Sequence, residues 1–172
     1  VCKIVEKWHR EGKEIIPISV NLSKTHFDIP NFFDYYEYLL KKYEIPAKSI
    51  EIEITESLFY NDIEFLSDLV NRIHNAGLSC SIDDFGSGYS SLNSLKDIYA
   101  DVLKLDLKFF EKTDDTNRAE KIIESIISLA YKLKMPVIAE GVEAKEQLDM
   151  LSRNGCNLIQ GFYYAKPMPV EE

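Results

Sequence analysis

Apolar and polar positions along the chain follow two periods. Positions 50–55 read IEIEIT, which puts Ile50, Ile52 and Ile54 on one face of an extended segment and Glu51, Glu53 and Thr55 on the other. Leu103, Leu105 and Leu107 oppose Lys104 and Asp106 in the same way. Elsewhere the spacing is helical. In VCKIVEKWHREGKE, Val1, Ile4, Val5 and Trp8 recur on one helix face and Gly12 stands where a C-terminal cap belongs. Short apolar runs then alternate with helical stretches: IIPISVNLS before NFFDYYEYLLKKY, SIEIEITES before DIEFLSDLVNRIHNAG, LSCSIDDFG before SLNSLKDIY. The series continues with DVLKLDLKFF before NRAEKIIESIISLAYKLK, MPVIAEGVE before AKEQLDMLSRNG, and last CNLIQGFYYAKP. The pattern predicts about six strands joined through helices, the mark of repeated βα units and a parallel sheet.

A doubly wound sheet is usually apolar on both faces of its strands. Strands that are apolar outward and polar inward suit a (β/α)8 TIM-like barrel, whose outer face packs on helices and whose strand ends carry the chemistry. Polar residues recur at the C-terminal ends of these strands: Asn21, Glu53, Asp83 with Asp84, Lys104 with Asp106, Glu140 and Gln160. Such a barrel needs eight strands and typically ~250 residues. Residues 1–172 therefore read as the C-terminal three quarters of a barrel domain, truncated at its N-terminal side. On that reading the first and last strands present lack the segments that would stand between them, and the chain alone is not expected to form a closed, active monomer.

Composition narrows the function. The 172 residues are 45% hydrophobic and 28% charged, as in ordinary globular proteins. A formal net charge of −9 argues against duplex nucleic acid as a partner, because that binding draws on Lys and Arg. A phosphate-bearing ligand then needs a metal. No apolar run approaches the ~20 residues of a membrane span, so no membrane contact is expected from this segment. The three cysteines, Cys2, Cys80 and Cys156, are far apart and lack CxxC spacing, which predicts reduced thiols, no zinc site and a cytoplasmic location.

Each strand-end residue also has a plainer reading. Asp is common in turns, Asn21 and Ser23 suit a helix cap, Glu53 suits a salt bridge, and Lys104 suits pairing with Glu51 or Asp106. His9, His26 and His74 fall in or beside helices and read as surface or capping residues, and the aromatics of FFDYYEYLL read as a core-facing stripe. The set changes this picture, since acidic and amide oxygens at one end of successive barrel strands repel one another without a cation. Oxygen ligands without His or Cys suit Mg2+ or Mn2+.

The segments SVNLS, EIEITES, SIDDFGSGYSSL, LKLD, IAEGVE and QGFYYAKP, in this order over essentially the whole chain, resemble the EAL domain of bacterial cyclic di-GMP phosphodiesterases. The resemblance implies a modified (β/α)8 barrel in which two Mg2+ or Mn2+ ions hydrolyse cyclic di-GMP to linear pGpG. It implies that Asn21, Glu53 and Asp83 hold one metal, and that Asp83, as the bridge, holds a second with Asp84 and Glu140. Lys104 corresponds to a lysine that contacts the attacking water, so Lys104, Asp83 and Glu140 are the implied catalytic set. Gln160 lines the site, with Asp106 beside it. Glu56 holds the loop after DDFG, a loop linked to metal binding and to homodimer formation, and Glu143 closes the EGVE motif in a supporting role.

The Glu-Ala-Leu motif itself is absent, and with it a metal-binding glutamate and an arginine that contacts substrate phosphate. The expected function of the parent domain is metal-dependent cyclic di-GMP hydrolysis. The alternative is a catalytically inactive EAL module that binds cyclic di-GMP or a protein partner.

Overall fold

The computed structural model describes residues 1–56, 58, 63–86, 92–107 and 116–170, without the side chains of residues 27, 28, 92–94 and 116. The helices are α1 (Cys2–Arg10), α2 (Phe32–Tyr43), α3 (Ile63–Asn75), α4 (Leu92–Asp97), α5 (Thr116–Lys132) and α6 (Lys145–Arg153). The strands are β1 (Ile18–Leu22), β2 (Ile50–Thr55), β3 (Ser79–Phe85), β4 (Val102–Asp106), β5 (Val137–Glu140) and β6 (Leu158–Ile159). They form one sheet in chain order, β1 to β6, and the registered pairs β1–β2, β4–β5 and β5–β6 are parallel. The six βα strands expected from the sequence are the strands found. No helix among the described residues is long and apolar enough to cross a membrane.

The chain divides into two compact units, one of residues 1–82 and 91–100, the other of residues 83–90 and 101–172. In the first, the register sets Ile18 against Ile50, Val20 against Ile52 and Asn21 against Glu53. Ile50, Ile52 and Ile54 are buried, as the alternation requires, and so are Glu51 and Glu53 on the opposite face. The Ser19 hydroxyl donates to Glu51 Oε1 at 3.0 Å, a partner for one of these carboxylates. Helix α3 buries Leu66, Leu69, Val70 and Ile73, spaced as one face of a helix. Gly12, with φ of 68°, follows α1 in the left-handed conformation that a C-terminal cap takes.

Two expectations for this unit change. The aromatic stripe of α2 is only partly core: Phe33 is buried, whereas Tyr35 and Tyr38 are exposed. Phe32, Tyr36, Leu39 and Tyr43 instead line an apolar cavity of about 740 Å3 with residues of α1. Asn21 is exposed and lies within β1, so it caps nothing; the cap is Ser23. Its hydroxyl accepts from the Thr25 N–H, and His26 returns a ring nitrogen to the Ser23 N–H, giving His26 its expected capping role.

In the second unit, Leu103, Leu105, Leu107, Val137 and Ala139 are buried on the apolar faces of β4 and β5 and just beyond β4. Helix α5 buries Ala119, Ile123, Ile127 and Ala130. Strand β6 is shorter than the run CNLIQGFYY suggests. The Gln160 N–H still reaches Ala139 O of β5 at 2.8 Å, and the chain then folds against the loop after β5 through Val142 N–H to Gln160 O at 3.3 Å and Tyr163 N–H to Val142 O at 3.0 Å. None of the three cysteines is joined in a disulfide. Burial raises the Cys156 thiol above its ordinary pKa.

Candidate active site

The chemistry gathers in the second unit, where β3, β4 and β5 end. Asp83 and Asp84 close β3, Lys104 and Asp106 lie two apart on one face of β4, and Glu140 ends β5 opposite Asp106 in the register. One carboxylate oxygen each from Asp83, Asp84 and Glu140 lies within 4.8 Å of the others. The Lys104 Nζ sits 2.6 Å from Glu140 Oε1 and 3.8 Å from Asp83 Oδ1, with side chains only 5%, 14% and 13% exposed respectively. Lys104 thus faces Glu140 and Asp83, two partners that were not weighed for it from the sequence.

Three carboxylates facing one ammonium leave an excess of negative charge in a half-buried place. Such a cluster is costly unless a cation completes it. The donor set fits a hard divalent ion: all oxygen, three acids from two strands, no sulfur or imidazole. Asp84 has a φ of 56°, a left-handed conformation uncommon for a non-glycine residue. Its N–H donates to Asp83 Oδ1 at 3.0 Å, which ties the two adjacent acids together.

The Glu140 carboxyl lies above its ordinary pKa. Burial is the main cause, opposed by the hydrogen bond and charge of Lys104 and reinforced by Asp83. A raised carboxyl pKa favours the folded, metal-free protein below the ordinary carboxyl range, and this contribution is lost as pH rises through the folded value. A bound cation reverses the preference, since it requires the carboxylate. Added Mg2+ or Mn2+ is therefore expected to raise the thermal midpoint more at pH 8 than at pH 5. Scanning fluorimetry at both pH values checks this, and an equal shift would remove Glu140 from the metal's ligands.

Beside the cluster opens a cavity of about 520 Å3, lined by Asp106, Glu140, Glu143, Gln160, Phe162 and Lys166 among others. Asp106, Gln160 and Glu143, named from the sequence, thus share one wall with Glu140. The Glu143 N–H donates to Gln147 Oε1 at 2.8 Å, which fixes the EGVE turn at the start of α6. Sequence reasoning missed Gly161. A Cβ there would overlap the Val142 carbonyl oxygen and stand 2.5 Å from the Val142 nitrogen. Only glycine lets the two loops of the wall meet, and the sole sequence signal was a glycine directly after Gln160.

Asn21 and Glu53 lie in the first unit as register partners, Glu53 buried and Asn21 exposed. Glu56 is buried directly after β2. Most of the loop it was expected to hold, residues 87–91, lies outside the described residues.

Parallel βα units with acids and a lysine clustered at the strand ends define a barrel-type α/β protein. Comparison with known proteins makes the assignment specific. The EAL domain family model matches residues 1–167, and the chain belongs to that family. It is 33% identical over 171 residues to the signaling protein YkoW of Bacillus subtilis, covering 99% of this chain and 21% of that protein. It is 34% identical over 169 residues to the cyclic di-GMP phosphodiesterase NbdA of Pseudomonas aeruginosa, covering 98% and 22%. The chain thus spans about a fifth of the length of these curated relatives. Among solved structures, the PaMucR phosphodiesterase in complex with c-di-GMP matches with a TM-score of 0.90 at 34% identity, covering 99% of this chain and 69% of that one. The EAL domain of Mycobacterium smegmatis DcpA matches with a TM-score of 0.87 at 32% identity, covering 97% and 75%.

Proposed function

We propose that the parent domain of this chain is a metal-dependent phosphodiesterase that hydrolyses cyclic di-GMP to linear pGpG. The observation that carries the reading is the cluster of Asp83, Asp84 and Glu140, with Lys104 paired to Glu140 and Asp83, next to the cavity that Glu140 lines. Membership of the EAL family, with phosphodiesterases among its similar members, supports the same substrate. Mg2+ or Mn2+ would be held by Asp83, Asp84 and Glu140, with Asn21 and Glu53 as further proposed ligands. When bound, such ions supply the Lewis acidity that activates water and offsets charge on phosphoryl oxygens.

The chain's own residues do the rest. Lys104 is held beside Glu140 and Asp83, where its ammonium orients a water molecule and stabilises negative charge that develops at the phosphate. Its three donors can serve both carboxylates and a third oxygen at once. One water enters, one P–O bond of the ring opens, and no covalent intermediate with the protein is needed. Gln160 and Asp106 line the space beside the reacting centre and offer hydrogen bonds to the nucleotide. The test is chromatography of cyclic di-GMP incubated with the purified parent domain. Release of pGpG with Mg2+ or Mn2+, abolished by a chelator, is the expected result. An inert domain that still binds cyclic di-GMP would favour the inactive-module alternative.

A further inference from the structure

We infer that Lys166 is a substrate-binding residue that contacts the second, non-reacting phosphate of the cyclic dinucleotide, and that Phe162 positions it. The inference rests on the proposed cyclic di-GMP reading and extends it to a residue outside the acidic cluster.

The local chain explains why Lys166 is where it is. Gly161 brings its backbone against Val142, and the Tyr164 and Ala165 N–H groups then turn back to the Gly161 carbonyl at 3.2 and 3.4 Å. This turn places residues 162 and 166 four apart on one side, as on a helix. The Lys166 ammonium lies 5.8 Å from the centre of the Phe162 ring, within the range of cation–π attraction, and Pro167 fixes the backbone that follows. Both residues line the cavity that Glu140 and Gln160 also line.

The electrostatics of that cavity give the lysine its purpose. Its described lining carries the acids Asp106, Glu140 and Glu143, and Lys166 is the single Lys or Arg among the lining residues. A cyclic dinucleotide brings two phosphodiester charges. The metal cluster and Lys104 answer the one that reacts, and on the described wall the other would meet acids. Lys166 is the cation this wall offers it, beside whatever the absent arginine contributes in the parent domain. Its ammonium is a flexible point charge, suited to a phosphate that must be held but not cleaved.

The test compares wild type, Lys166→Ala, Lys166→Arg and Phe162→Leu in the parent domain, with cyclic di-GMP and with bis(p-nitrophenyl) phosphate, which has one phosphate. Lys166→Ala is expected to raise KM for cyclic di-GMP about tenfold with kcat nearly unchanged, the pattern of lost uniform binding. Lys166→Arg retains most of the affinity, and Phe162→Leu gives a smaller rise in KM. Hydrolysis of the single-phosphate substrate stays unchanged in all three. An unaltered KM for cyclic di-GMP in Lys166→Ala, or an equal loss on both substrates, overturns the inference alone. A wild type that cleaves bis(p-nitrophenyl) phosphate but not cyclic di-GMP overturns the proposed function and this inference with it.

Discussion

Asp83→Asn is expected to lower cyclic di-GMP turnover in the parent domain by about two orders of magnitude or more. The substitution keeps the shape of the side chain and an oxygen able to accept the Asp84 N–H, so the end of β3 need not move. What it removes is one negative charge from a cluster whose three carboxylates lie within 4.8 Å of one another. As the acid that faces both Asp84 and Lys104, Asp83 loses its ion pair as well as its ligand charge. Chromatographic pGpG release under saturating Mn2+ measures the effect, with circular dichroism as the control for folding. Near-normal turnover by a folded variant would remove Asp83 from the metal-bridging role proposed for it.

Gly161→Ala is expected to be the most damaging change of a residue that bears no chemistry. Overpacking in a core typically costs about 1–3 kcal/mol when neighbouring side chains can turn aside. Here the obstructing atoms are the backbone carbonyl, nitrogen and carbonyl carbon of Val142, which have no rotamers to exchange. Either the loop after β5 or the turn after β6 must shift, and the hydrogen bonds joining them are lost with it. A cost near the upper end of that range lowers the thermal midpoint by about 10 °C in a domain of this size. Gly12→Ala is the control. Its φ of 68° disfavours alanine, but nothing lies within 4 Å of the added carbon, so its loss should be clearly smaller. Equal midpoints for the two variants would show that the contact with Val142 is not what requires glycine.

Much of the fold was legible because it repeats. IEIEIT and LKLDL have a period of two with apolar residues on one side, and each forms a strand with that side buried. Where the pattern misled, a contact remote in sequence overrode it. NLIQGFYY reads as a long strand, but Gly161 draws the chain onto Val142 and ends β6 after two residues. The FFDYYEYLL stripe has helical spacing and does form a helix, yet spacing alone does not say which apolar face will be covered. Glu51 and Glu53 show the reverse case. Their alternation was read correctly, and the fold buries them along with the apolar face of the same strand.

The site divides along the same line. By itself the sequence determined the order of elements, the oxygen-only donor set and the placing of acids, amides and a lysine at strand ends, since these follow from side-chain chemistry and local period. The tertiary structure decided the partners. Lys104 stood beside Asp106 in sequence and looked equally suited to Glu51; the fold turns it to Glu140 and Asp83. Asp84 acquired a left-handed backbone, and Gly161 its close approach to Val142, only once the loops were packed. The physical reason is register. A strand slid by two residues keeps every side chain on its face and satisfies the same pattern, but brings different residues together across the sheet, and only packing selects one register from the others.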